Sequence, residues 1–138
     1  MPNVTKPDTT GSPSLTTVAM AVIADAALII VFAAIGRDAH HRGDVVSGVL
    51  LTAWPFLAGA AAAWLALRLW RAPLAIFPAG VAVWLGTVAV GMLLRAVTGQ
   101  TVVVPFVIVA LLSLGLLLLG YRLVLAGILR FRTSRREG

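Results

Sequence analysis

Four long apolar stretches constrain the fold more than any other feature of the chain. They cover about residues 15–36, 45–69, 73–98 and 102–129. A helix of about 20 residues crosses the ~30 Å hydrocarbon core of a bilayer, and each stretch is at least that long. Because 60% of the residues are hydrophobic and only 12% are charged, the core of a water-soluble domain cannot account for so much apolar surface. The sequence therefore predicts an all-α fold, an integral membrane four-helix bundle.

Polar segments lie at both ends of this predicted transmembrane domain, which covers residues 15–129. Residues 1–14 contain three Pro and five Thr or Ser residues, and such a composition buries too little apolar surface to offset the cost of ordering the chain. We therefore expect a disordered cytoplasmic tail over residues 1–14. Residues 130–138 are rich in Arg, and we expect them to form a basic cytoplasmic tail.

The distribution of basic residues predicts the orientation. With four spans, both termini and the turn between the second and third helices lie on one side of the membrane. That side holds eight Lys and Arg residues and the other side holds three, and basic residues are enriched in cytoplasmic loops. We therefore expect a multi-pass protein of the cell (plasma) membrane with both termini in the cytoplasm. The residues counted are Lys6, Arg68, Arg71, Arg122, Arg130, Arg132, Arg135 and Arg136, against Arg37, Arg42 and Arg95.

Pro55 predicts a kink in the second helix. Proline has no backbone N–H, so the carbonyl of Leu51 loses its partner within the helix. Lipid cannot replace that partner, so a neighbouring helix, Thr52 or a water molecule must do so. A bent packing helix without a special task is the simpler interpretation.

Asp25 is the most unusual residue of the apolar stretches, because it lies near the middle of the first helix. A carboxyl group at that depth must be protonated, hydrogen-bonded or paired with a cation. Arg95 is the nearest cation in estimated depth and Arg37 the second, whereas we expect Arg122 to reach the headgroups by snorkelling. Other polar side chains are predicted within about one helical turn of the midplane. They are Thr52, Trp54, Trp84 and Thr87.

Three interpretations of Asp25 remain open at this stage. The first is an outward-opening polar cleft that contains Asp25 and Arg95 together with the polar side chains above. The second is an Asp–Arg ion pair that holds the first and third helices together. In the third, Asp25 faces a partner protein.

The loop between the first two helices contains both histidines of the chain, His40 and His41. Adjacent residues cannot ligate one metal ion from the same helical face, and the chain has no cysteine to complete a site. We therefore expect no metal ion, haem or other cofactor, and interpret the loop as pH-sensitive or as surface without a special task. No catalytic motif is present, and neither a basic face on a soluble fold nor a run of base-stacking aromatics indicates nucleic-acid binding.

Several short motifs, in order and at sensible spacing over about residues 17–126, resemble a known family. They are Asp25, Gly36-Arg37 with His40, Thr52-Ala53-Trp54-Pro55-Phe56-Leu57, Trp84, Gly91-Met92-Leu93-Leu94-Arg95, Thr98-Gly99-Gln100 and Gly120-Tyr121-Arg122. The family comprises small four-span membrane proteins, typical of actinobacteria, known only as a domain of unknown function. Asp38 and Tyr121 depart from its pattern, in which a basic or small residue and a Trp are expected. The resemblance implies a fold class and a membrane location, and it brings no activity or ligand.

We expect a non-enzymatic accessory or assembly component of a membrane complex, because the chain combines abundant small-residue packing surface with few soluble parts. Its partners would be the lipid bilayer and either further copies of itself or other membrane subunits. Two alternatives remain open. One is a small oligomeric transporter or channel that uses the polar cleft, and the other is a membrane enzyme acting on a lipid-linked substrate.

Overall fold

The computed structural model describes residues 13–38, 45–100 and 102–137. These residues form four α-helices and, within those ranges, no β-strand. The helices are α1 (Leu15–Asp38), α2 (Val45–Ala66), α3 (Val81–Val97) and α4 (Val104–Glu137). Four helical segments are long and apolar enough to cross a membrane, namely Leu15–Gly36, Val46–Ala66, Ile76–Val97 and Val104–Arg135. The predicted all-α fold with four membrane-spanning helices is confirmed.

The helices alternate in direction, so α1 begins and α4 ends at the same end of the bundle. Residues 67–75 connect α2 to α3 at that end, which we call the terminal end. The predicted tail over residues 1–14 falls almost entirely outside the described residues, as do His40 and His41. The cytoplasmic placement of the termini stays a prediction.

The connection between α2 and α3 is longer than predicted. The second helix ends at Ala66 instead of Leu69, because Arg68 adopts a left-handed conformation (φ 51°). The third helix was predicted to begin at residue 73, but α3 begins at Val81, after a kinked segment over Ile76–Gly80. Phe77 has an extended backbone (φ −126°, ψ 132°), as is favoured for a residue that precedes proline. Pro78 therefore delays the regular helix.

The fourth helix was predicted to end at Leu129, but α4 continues to Glu137. Residues 130–137 contain neither Gly nor Pro, so nothing in them ends a helix. The Thr133 hydroxyl also donates a hydrogen bond of 2.9 Å to the Leu129 carbonyl one turn earlier. The basic segment is therefore a continuation of the helix, and Arg122 lies far from the end of α4.

Glycines allow α2 and α3 to pack closely. A Cβ atom at Gly59 of α2 would lie 2.8 Å from the carbonyl oxygen of Gly86 in α3, and one at Gly86 would lie 2.7 Å from the Cβ of Ala63. A Cβ atom at Gly91 of α3 would similarly lie 2.6 Å from the Cδ1 atom of the Phe56 ring. Small residues let helices approach where water supplies no driving force for association.

An aromatic cluster joins three helices toward the other end of the bundle. Phe32 of α1, Phe56 of α2 and Phe106 of α4 have ring centroids 5.5–6.4 Å apart. Phe32 and Phe56 meet edge to face, an arrangement that aromatic pairs favour. The cluster packs α1 and α4 against the α2–α3 pair.

We predict that Gly59→Ala destabilises the protein by about 1–3 kcal/mol, because the new methyl group would overlap backbone atoms of α3 that cannot move independently. Thermal unfolding in a fixed detergent measures the change. Gly120→Ala is the matched control, since a Cβ at Gly120 has nothing within 4 Å, and its stability should be unchanged or slightly higher. Equal stability of Gly59→Ala and the wild type would contradict the close α2–α3 contact.

Candidate functional site

The carboxylate of Asp25 is the centre of a buried polar cluster. Arg122 donates from Nη1 to Oδ1 at 2.9 Å and from Nη2 to Oδ2 at 3.0 Å, which makes a bidentate ion pair. The Tyr121 hydroxyl donates to Oδ1 at 2.7 Å, and the Trp64 indole Nε1 donates to Oδ2 at 3.0 Å. The side chain of Asp25 is only 2% exposed and that of Arg122 is 0% exposed. Each carboxylate oxygen thus accepts two hydrogen bonds.

Arg122 has further acceptors in addition to Asp25. Its Nε donates to the Pro73 carbonyl at 3.1 Å, and its Nη1 also donates to the Leu118 carbonyl at 3.0 Å. Its guanidinium carbon lies 4.8 Å from the centre of the Tyr121 ring, which adds a cation–π contact. Removing two charges from water costs several kcal/mol per ion, and good geometry with additional hydrogen bonds offsets that cost.

Four parts of the chain contribute to this cluster, which we call the Asp25 cluster (Asp25, Trp64, Tyr121 and Arg122). Asp25 lies in the middle of α1, Trp64 lies two residues before the end of α2, and Tyr121 and Arg122 are consecutive in α4. The Pro73 carbonyl belongs to the connection between α2 and α3. The cluster therefore links α1 to α4 and fixes the α2–α3 connection against both.

The prediction that Asp25 pairs with Arg95 is wrong. Arg95 is in the last turn of α3, where its Nη1 donates to the Gln100 Oε1 at 2.8 Å and its guanidinium carbon lies 4.6 Å from the centre of the Phe106 ring. The expectation that Arg122 snorkels is also wrong, because its guanidinium is fully buried and pairs with Asp25. Arg37 is in the last turn of α1, and its side chain lies outside the described residues.

The other polar residues predicted for the cleft do not meet at Asp25. Trp84 donates its indole N–H to the Leu111 carbonyl of α4 at 2.8 Å. Thr87 is fully buried, and its Oγ1 has no hydrogen-bond partner among the described residues. Thr52 is half-buried and Trp54 is 38% exposed. The described residues therefore do not form the single outward-opening cleft that the sequence suggested.

A smaller polar cluster lies at the end of the bundle opposite the terminal end. The Gln100 side chain accepts from Arg95 and donates from Nε2 to the Leu51 carbonyl at 3.3 Å. This carbonyl is the one that Pro55, inside α2, leaves without a helical donor. The α3–α4 turn thus supplies the hydrogen bond that Pro55 cannot make.

Within the described ranges, no group of three or more His, Cys, Asp or Glu side chains could hold a metal ion. The titratable groups of the Asp25 cluster are a carboxylate, a phenol and a guanidinium, and the phenol and the guanidinium both donate to the carboxylate.

A comparison with protein families matches residues 22–125 to the family described as protein of unknown function (DUF3054). The chain belongs to the DUF3054 family. This confirms the resemblance to a domain of unknown function that the sequence motifs indicated. No curated protein and no solved structure matches the chain. All four residues of the Asp25 cluster lie within the part that matches DUF3054.

An apolar groove between α1 and α2 leads to the Asp25 cluster of this DUF3054 protein. Its volume is about 370 Å³. The groove begins beside Trp70, in the connection between α2 and α3, and continues between the two helices. Its lining residues are Val18, Val22, Asp25, Ala26, Leu57, Ala60, Ala61, Trp64, Leu65 and Trp70.

The sequence did not identify any of the three partners of the Asp25 carboxylate, which are Trp64, Tyr121 and Arg122. Trp64 and Arg122 each lie near the end of a predicted helix, where indoles and guanidiniums normally reach the headgroups. The available signal was the string Gly120-Tyr121-Arg122, which places a hydroxyl and a guanidinium side by side. An estimate of α4 length that allowed for residues 130–137 would have placed Arg122 well inside the helix.

We predict that Asp25→Asn and Arg122→Gln each destabilise the protein by about 3–5 kcal/mol, because each leaves the other charge buried and unpaired or removes its hydrogen bonds. The double variant should lose less than the sum of the two, by about 0.5–3 kcal/mol, because the residues interact directly. Unfolding in a fixed detergent provides all four stabilities.

Arg95→Gln provides the matched control for this double-mutant cycle. Combined with Asp25→Asn it should be additive within about 0.5 kcal/mol, since the described contacts of Arg95 do not include Asp25. Coupling of Asp25 to Arg95 instead of Arg122 would contradict the structure and restore the pairing expected from sequence.

Proposed function

We propose that this DUF3054 protein is a non-enzymatic accessory or assembly component of a membrane complex. We place it in the plasma membrane with both termini in the cytoplasm, because seven basic residues other than the buried Arg122 belong to the terminal side and three belong to the other. The exposed C-terminal part of α4 and the bonding of Asp25 both support this role.

The main support for the proposed role is the C-terminal extension of α4 (residues 123–137). It continues 15 residues beyond Arg122, which corresponds to about 22 Å of helix. The apolar side chains exposed on it would contact either lipid or a partner subunit, and we infer a subunit because basic side chains are mixed with them. The exposed apolar side chains of the extension are Leu123, Val124, Ile128, Leu129 and Phe131.

Basic side chains lie on the same extension, where Arg130, Arg132 and Arg135 are all exposed. The guanidinium carbon of Arg135 lies 5.3 Å from the centre of the Phe131 ring, so apolar and basic groups are mixed along the surface. Aromatic residues and arginines are enriched where proteins bind each other. The partner that fits has apolar side chains with acidic groups around them.

The bonding of Asp25 supports a structural role for the buried ion pair. Both carboxylate oxygens already accept two hydrogen bonds each, so a substrate or ion would have to displace internal donors. This corresponds to the ion-pair interpretation of the sequence, with α4 in place of the third helix. A transporter and an enzyme acting on a lipid-linked substrate are the two functions that would replace the proposal.

We predict that the full-length protein, extracted in mild detergent, has a mass greater than that of one chain because a partner stays bound to it. Combining Ile128→Asn with Phe131→Ser should release that partner. The partner is either another copy or a different subunit, and mass measurement with subunit identification separates the two. Leu15→Asn is the control, because Leu15 is 84% exposed at the same end of the bundle but lies on α1. Its complex should stay intact.

The result that would overturn the proposal is a monomeric wild-type protein that supports flux across liposomes or turns over a lipid-linked substrate. Loss of that activity in Asp25→Asn, measured on protein shown to be folded, would assign it to the Asp25 cluster.

We predict from the proposed orientation that a membrane-impermeant maleimide labels Thr98→Cys in intact cells, whereas Ser134→Cys is labelled only after the membrane is permeabilised. The natural chain has no cysteine, so each variant reports one position, and both side chains are exposed. The opposite labelling pattern would place both termini outside.

A further inference from the structure

The groove between α1 and α2 has the dimensions of a site for a single hydrocarbon chain. Its volume of about 370 Å³ is within the ~300–1,000 Å³ range of ligand clefts. Val18 to Ala26 on α1 and Leu57 to Leu65 on α2 each cover nine residues, or about 12 Å along the helix. A partner helix of that length, about 10–12 Å across with its side chains, has more than about twice the volume of the groove, so the groove cannot enclose one.

The inner wall of the groove is apolar in spite of Asp25. The carboxylate is neutralised by Arg122 and accepts from Trp64 and Tyr121, so its charge and lone pairs are directed into the bundle. The other lining residues are alanines, branched aliphatic residues and the rings of Trp64 and Trp70. A hydrocarbon chain in the groove therefore meets no unsatisfied polar group of the cluster.

Two cations lie at the terminal end of the groove. Arg71 directly follows Trp70 and Arg68 precedes it by two positions, and Trp70 lines the groove and is 40% exposed. Both arginines are exposed, and neither forms an ion pair with another described residue. Tryptophan is enriched at the level of the headgroups, so residues 68–71 belong to the part of the chain where lipid phosphates are expected.

We propose that the groove between α1 and α2 is a binding site for an anionic phospholipid. One acyl chain lies between Val22 and Ala61 toward Leu57, and the phosphate binds Arg68 and Arg71. Clusters of basic residues beside helix–helix grooves bind anionic headgroups, and guanidiniums bind phosphate in bidentate fashion. The site is independent of whether the chain is part of a larger complex.

The test uses full-length protein in phosphatidylcholine bilayers that contain a minor fraction of lipid with brominated acyl chains. Bromine quenches the fluorescence of nearby indoles, and two of the four tryptophans line the groove. Brominated phosphatidylglycerol should quench more than brominated phosphatidylcholine at the same fraction, and Trp70→Phe should reduce the difference. Arg68→Gln combined with Arg71→Gln should lower the relative affinity for phosphatidylglycerol by at least about fivefold.

Ala61→Leu tests the position of the acyl chain. The added side chain fills the groove without entering the core, because Ala61 is exposed, and quenching by the brominated chain should fall. Ala62→Leu is the matched control, since Ala62 is the adjacent exposed alanine but is not part of the groove. Thermal unfolding of each variant confirms that it is folded.

Three results would overturn the proposal. Equal quenching by both lipids would mean that only bulk lipid covers the groove. An equal response of Ala61→Leu and Ala62→Leu would place the chain elsewhere. Protection of the groove tryptophans from both lipids, with disulfide formation between copies of Ala61→Cys, would identify a second copy of the chain as the occupant.

Discussion

The low dielectric of the membrane interior imposes the main constraint on this structure, because it makes one carboxylate expensive unless it is fully paired. Asp25 meets this constraint with a bidentate arginine, a phenol and an indole. The partners come from α2 and α4, so the helices cannot satisfy the acid unless they are all in place. Replacing such a pair with well-packed apolar residues is often neutral or stabilising. We therefore interpret the ion pair as a contact that specifies how the helices are arranged, and not as a source of net stability.

Buried polar groups obtain their partners by different chemistry in two parts of the bundle. Toward the terminal end, the Asp25 carboxylate is paired with the Arg122 guanidinium. At the opposite end, Gln100 joins the Arg95 guanidinium to the Leu51 carbonyl that Pro55 leaves free. Between the two ends, the α2–α3 contact depends on the absence of side chains at Gly59 and Gly86. The polar groups thus determine how the helices are positioned along one another, while the glycines determine the distance between α2 and α3.

The number of helices and their membrane-spanning character could be predicted from sequence, since both depend on the length of apolar runs and need no tertiary information. The family could also be predicted, because its motifs are local strings. Asp25 was identified as unusual because an unpaired acid is unfavourable in lipid. Its partner Arg122 was not identified, because the depth of each residue was estimated from the helix ends and the end of α4 was placed eight residues too early. Tertiary contacts such as Trp64 with Asp25, 39 residues apart, leave no trace in periodicity or spacing.

Trp64 lies between the candidate lipid site and the buried ion pair. Trp64 belongs to both, since it donates to Asp25 on one side and lines the groove on the other. The indole therefore separates a charged interior from the hydrocarbon outside. Loss of this ring would expose the carboxylate to whatever occupies the groove.

The pairing of Asp25 with Arg122 has a consequence for biosynthesis. The acid is in α1 and the guanidinium is 97 residues later, in α4, so the acid is synthesised first. Until α4 is made, the nascent protein holds a membrane-embedded acid without its counter-ion. A chain that stopped before α4 would lack this partner permanently, and its first span would keep in the membrane an acid that the four-helix bundle pairs with an arginine.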